Sequence, residues 1–316
     1  MRAPSPGPSP GHSPGSAPGM PPLHLLLALA VTAVWGSNFV IIKFALAHLP
    51  PLTLALLRFG LAWFPIALFV PRPAVRWRNL AAYGVLIGAG QFGLLFTAMR
   101  ADITPGLASL VVQAQAFFTI GLAVWLSGER VARFQLGALL LASGGIALIA
   151  LHTDASATPL GIALVLCAAA SWAGGNMVAR AAGPVNMLGY VVWSSLFALP
   201  PLLGFALVFE GWPAMRAGIA AADAGTWAAV LWQAVGNTMF GYGAWGFLLT
   251  RYPAATVAPW SLLVPVFGMA AAATWLAEPL PWWKLAAAAL ILGGLALTVL
   301  WSRLGPRLAA RLRPAG

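Results

Sequence analysis

Charged residues divide this sequence into long apolar runs. Nine stretches carry none: 23–42, 80–99, 103–128, 134–151, 155–179, 181–209, 224–250, 252–277 and 285–302. A tenth, 51–70, is interrupted only by Arg58. A helix rising 1.5 Å per residue needs about 20 residues to bridge a hydrocarbon layer of about 30 Å. The runs have about that length and predict ten spans. Lipid offers the backbone no outside partner, so the spans must be helices or a closed barrel. A barrel would show alternating segments of about ten residues, and these runs are longer and uniformly apolar. The expected fold class is an all-α membrane protein of ten transmembrane helices. The connections are short and leave no room for a soluble domain.

Composition agrees with the pattern. Of 316 residues, 17 are Lys or Arg and 6 are Asp or Glu. That is 7% charged, against roughly 25% in a soluble domain, too little to cover a water-exposed surface. A net charge of +11 has no polar domain on which to form a nucleic-acid face, so the basic residues read as orientation signals. With ten alternating spans and a cytoplasmic N-terminus, twelve fall inside and only Lys43, Arg100, Arg216 and Lys284 outside. Both termini are therefore expected in the cytoplasm. Residues 1–22, with eight Pro and no aliphatic run, read as a disordered tail rather than a secretory signal, and 302–316 as a basic tail. Met20 is a second candidate start. The single Cys167 has no intrachain disulfide partner and no metal-ligand spacing.

The sequence also repeats. TPGLASLV, WLSGERV and ASGGIAL in 104–149 correspond to PAATVAPW, WLAEPL and LILGGLAL in 253–298. At an offset of 149, Glu129 meets Glu278, and Gly144 and Gly145 meet Gly293 and Gly294. AVWGSNFVIIK and ASWAGGNMVAR correspond with one extra residue. The predicted repeats are 23–151 and 155–301, with five spans each. An odd number turns the second copy upside down, and such inverted repeats build carriers that hold substrate near the midplane.

With WGSNF in the first span, LRF in the second and GER after the fourth, the chain resembles the EamA branch of the drug/metabolite transporter superfamily. The stretches WGSNFVIIKFALAHLPPLTLALLRF, GLASLVVQAQAFFTIGLAVWLSGER and GYGAWGFLLTRYPAATVAPWSLLVPV are similar to members that export O-acetylserine and cysteine. The resemblance covers about residues 23–301. It implies inner-membrane export of small polar metabolites, with a small-molecule substrate and no bound cofactor. Import, or transport of aromatic amino acids, drugs or sugars, is the alternative.

Polar groups deep in a span are costly and mark function by default. Asn38 and its repeat partner Asn176 are substrate candidates, or ties between closely packed helices. Gln113 and Gln115 lie about 200° apart on a helix, so one lines a cavity while the other bonds a neighbour. Their repeat counterparts, Leu262 and Val264, are apolar, which sets the glutamines apart from shared architecture. Gln91, Asn237, Tyr242, Trp245 and Trp260 complete the candidate substrate wall, against the simpler reading that Trp fills membrane space. Arg58 either meets a substrate carboxylate or has a structural role. Glu129 and Glu278 read as structural helix-end residues. The four His, at 12, 24, 48 and 152, lie in the tail, at a helix edge or in loops. No acid is expected near the midplane, so the residue set for an intramembrane enzyme or a metal site is missing. The sequence does not specify an oligomeric state.

Overall fold

The computed structural model describes residues 20–127, 133–152, 156–252 and 254–311. Residues 1–19, Glu129 and 312–316, on which the sequence carried expectations, lie outside them. Among the described residues the structure is almost wholly helical, with one isolated bridge between Ile103 and Ala157 and no strand.

Among the described residues, seven helices are long and apolar enough to cross a membrane: α1 (Pro22–Ala45), α2 (Pro51–Leu68), α3 (Trp77–Ala101), α4 (Pro105–Leu126), α5 (Phe134–Leu151), α6 (Pro159–Ala182) and α7 (Met187–Ala221). Three further helical stretches follow. α8 covers 224–251 and α9 covers 254–275, both with internal changes of winding, and α10 is Trp282–Arg311. Four helices start with proline at the first position, in α1, α2, α4 and α6. Proline suits that place because the missing N–H has no intrahelical partner there, and its fixed φ is already helical.

The predicted run 181–209 is displaced. α6 continues to Ala182, and the regular winding of α7 runs from Met187 to Glu210. At Gly211 the backbone turns to a φ of 78° and a ψ of 149°, which ends the regular winding at Glu210, and the segment Gly211–Ala221 follows as a further helical stretch.

α1 packs on α8 and α9, α6 on α3 and α4, α2 on α7 and α8, α3 on α7, and α5 on α10. Small residues allow these approaches. A Cβ on Gly36 would collide with the Val264 carbonyl of α9. Gly145 of α5 faces Ala287 and Ile291 of α10, while Gly294 of α10 faces Ala138 of α5. The outer surface keeps large apolar side chains such as Trp125, Leu140, Val208 and Phe209 exposed, which is suited to lipid rather than water.

Winding is not uniform. Val85–Gly93 within α3 and Gln233–Phe240 within α8 are π-helical. Val112–Ala114 within α4 and Ala258–Leu262 within α9 are 3-10 helical. Single π or 3-10 segments inside helices concentrate at functional sites. Here they carry Gln91, Gln113, Asn237 and Trp260, four of the candidate residues.

Candidate functional site

Each described acidic side chain lies at a helix N-terminus, where free N–H groups and the helix dipole favour negative charge. Glu278 accepts from the Thr104 hydroxyl and, at 3.1 Å, from the Gly106 N–H at the start of α4. It is also paired at 2.9 Å with Lys284, which is 1% exposed. Glu210 accepts from the Leu52 and Thr53 N–H groups at 2.6 and 3.0 Å, and from the Thr53 hydroxyl. Asp102 accepts from Thr158, the cap of α6. Asp223 caps α8, and two hydrogen bonds from Thr226 hold its carboxyl below the usual range. Cations serve the opposite ends: Lys43 donates to the Met99 and Arg100 carbonyls at the end of α3, both at 2.9 Å.

Arg58 is different. It projects from α2 and is 2% exposed, yet its Nε and Nη1 have no hydrogen-bond partner. Its guanidinium carbon sits 3.6 Å above the Phe92 ring of α3 and 4.8 Å from Phe59. Tyr83 and Tyr242 lie within electrostatic range of it. Tyr242 in turn packs against Trp35 of α1, with ring centroids 5.5 Å apart, and Trp245 packs on the same indole at 5.2 Å. The Trp35 N–H donates to the Asn237 carbonyl at 3.2 Å. One turn along α1, the buried Asn38 has an unpartnered Oδ1. Arg58, Tyr242 and Trp245 thus gather around α1, α2, α3 and α8. Trp260 joins their edge through a small apolar cluster with Leu248, Val257 and Trp245.

The other candidates form a second group. The Asn176 amide donates to the Gln115 oxygen at 2.9 Å and to the Thr119 hydroxyl at 3.2 Å, tying α6 to α4. The repeat partners Asn38 and Asn176 therefore differ, one with an unpartnered oxygen and one bonded. Gln113 is buried in the 3-10 turn of α4, beside α6, and Gln91 is buried in the π segment of α3.

Gln233 was missed in the sequence. It is 0% exposed, and both atoms of its amide lack a partner. The rule that selects polar residues within uncharged runs applies to it as well. It stands nine residues into the run 224–250, close enough to its start to pass for a helix-end residue.

An open cavity of about 560 Å³ lies between α1 and α8 beside the α1–α2 loop, lined by Lys43, Phe44, His48, Asp223, Thr226 and Trp232 among others. The His48 ring is 2.8 Å from the Thr226 hydroxyl. No group of His, Cys, Asp or Glu able to hold a metal forms among the described residues.

The sequence pattern of the EamA-like transporter family matches residues 22–151 and again 159–300. A "Probable amino-acid metabolite efflux pump" of Salmonella typhimurium is 43% identical over 280 residues, 86% of this chain and 93% of that protein. A protein of Escherichia coli described in the same words is 42% identical over 281 residues, again 86% and 93%. A "Probable terminal-alkyne amino-acid exporter" of Streptantibioticus cattleyicolor is 27% identical over 85% of this chain and 91% of its own length. A solved crystal structure superposes with a TM-score of 0.59 at 19% identity, over 90% of this chain and 98% of the other, a likeness of fold alone.

Proposed function

This chain belongs to the EamA-like transporter family, and from that premise we propose that it exports small amino-acid metabolites across a bacterial inner membrane by alternating access. The observation carrying this reading is the near-full-length identity of 43% to the "Probable amino-acid metabolite efflux pump" of Salmonella typhimurium. Cysteine and O-acetylserine are the substrates to try first. They are small polar zwitterions, suited to amide donors and acceptors inside an aromatic wall. Asn38, Gln91, Gln113, Gln115, Asn176, Asn237, Tyr242, Trp245 and Trp260 are the proposed wall, with Arg58 beside it.

We also propose ten crossings in two inverted halves, 23–151 and 155–301, with both termini in the cytoplasm. The helix contacts support this. Exchanging each helix with the one five places away turns α1–α9 into α6–α4, α1–α8 into α6–α3 and α2–α8 into α7–α3, and all six contacts occur. The π segments of α3 and α8 begin 148 residues apart.

The deciding experiment loads proteoliposomes with labelled O-acetyl-L-serine or L-cysteine and follows release. Export of either supports the reading, and release of neither overturns the substrate class. Coupling follows from the acids. Proton-driven carriers often rely on an intramembrane carboxylate or His, whereas the described acids lie at helix N-termini. Release down the substrate's own gradient, or by exchange, is expected. Accumulation driven by a pH gradient alone would contradict it.

A further inference from the structure

Arg58, Asn38 and Gln233 share a depth. The His48–Thr226 contact sets the start of α8 level with the α1–α2 loop, and Lys43 holds the end of α3 at the same level. Counting inward, Asn38 lies seven residues from the end of α1, Arg58 seven from the start of α2, Phe92 eight before Arg100, and Gln233 nine beyond Ala224. At 1.5 Å per residue these are layers about 10–14 Å from that end. α2 and α8 pack together there, as do α1 and α8. The layer holds a buried cation with two unpartnered guanidinium nitrogens, a buried amide oxygen and a whole buried amide, all without partners.

A guanidinium remains charged in a protein interior, and a buried charge is tolerated when it is paired or hydrogen-bonded. Among the described residues no carboxylate faces Arg58: Asp102, Glu210, Asp223 and Glu278 lie at helix N-termini. The Phe92 ring steadies the cation from one side and cannot accept the in-plane N–H bonds. What fits those donors is an anionic oxygen, and a carboxylate supplies one that accepts a charge-assisted hydrogen bond from the guanidinium. The oxygens of Asn38 and Gln233 accept from N–H donors, which an ammonium supplies.

Building on the amino-acid reading above, we infer that Arg58 binds the substrate's α-carboxylate while Gln233 and Asn38 accept from its α-ammonium. The site reads the backbone of an α-amino acid and leaves its side chain to the aromatic wall. Specificity is then broad across small side chains and strict for the zwitterion.

The test is competition in vesicles holding the full chain, with labelled L-cysteine as probe. In the wild type, unlabelled cysteine competes roughly 10- to 100-fold better than cysteamine, which lacks the carboxylate, and better than 3-mercaptopropionate, which lacks the amine. Arg58→Gln abolishes discrimination against cysteamine but keeps it against 3-mercaptopropionate, and Gln233→Leu does the reverse. Arg58→Lys restores part of the first. A purely structural Arg58 would lower the amount of protein and leave the competition ratios unchanged, which overturns the inference. Wild-type protein that moves cysteine without discriminating among the three also overturns it, whatever the variants do. Wild-type protein that moves neither cysteine nor O-acetyl-L-serine refutes instead the substrate class on which it rests.

Discussion

Glu278 shows how much one side chain carries when backbone and charge meet in a place closed to water. Its carboxylate bonds the start of α4 and balances Lys284. Removing one partner of a buried pair costs about 3–5 kcal/mol, because the other charge is left without compensation. Glu278→Ala should therefore lower the melting temperature of the detergent-solubilised protein sharply. Glu278→Gln, which keeps an acceptor for Gly106, should lower it less. Equal melting of all three would show that the pair contributes nothing. Gln113→Leu is a different case. It copies the equivalent residue of the other half, so membrane abundance should stay normal. Losing a buried polar partner of the substrate costs about 1–3 kcal/mol, or roughly 5- to 150-fold in affinity. Amino-acid efflux should fall accordingly, and unchanged efflux would remove Gln113 from the pocket. Polar residues inside apolar runs were legible because an uncharged background makes them stand out. Their pairing was not. Nothing in the spacing separates Asn176, bonded to Gln115 across two helices, from Asn38, whose oxygen is left without a partner.

Helices show a different limit. The runs located the helical stretches, since span length follows directly from membrane thickness. Changes of winding did not show, because one apolar pattern serves i→i+4 and i→i+5 bonding alike. The helical segment Gly211–Ala221 also escaped notice, because Glu210 and Arg216 interrupt the apolar pattern there. Glycine pairs were visible in sequence, but only packing tells the two members apart. A Cβ on Gly145 would press on the Ala287 carbonyl and Ile291 of α10, whereas one on Gly144 would meet nothing within 4 Å. Gly145→Ala should destabilise the protein by about 1–3 kcal/mol through overpacking. Gly144→Ala should be neutral or stabilising by up to about 1 kcal/mol, through helix propensity. Thermal melting of the two variants side by side checks this, and an equal effect would disprove the α5–α10 approach.

For the whole molecule, the proposed inversion of the halves would place equivalent residues on opposite faces of the membrane. With the exposed native Cys167 replaced, single cysteines placed beside Glu129 and beside Glu278 should react with an impermeant maleimide from opposite sides. Labelling from one side would refute the inversion while leaving family membership intact. The sequence repeat predicted two halves. It did not predict that they interlock, with α1 resting on α9 and α4 on α6. Offsets along a chain record resemblance between segments, whereas contact across the halves is decided by close approaches such as that at Gly36.

That interlocking has a temporal side. α5 ends at Leu151, and its partner α10 begins at Trp282. A ribosome adding about 5–20 residues per second leaves α5 in the bilayer for roughly 7–26 seconds before α10 starts to emerge. Throughout that interval the first half is inserted but unfinished, and the glycine face around Gly145 is open to lipid and to passing helices. A chain that stops before residue 282 never leaves this state. Pulse-chase labelling should find it membrane-inserted but short-lived, cleared by membrane proteases that leave the finished carrier alone.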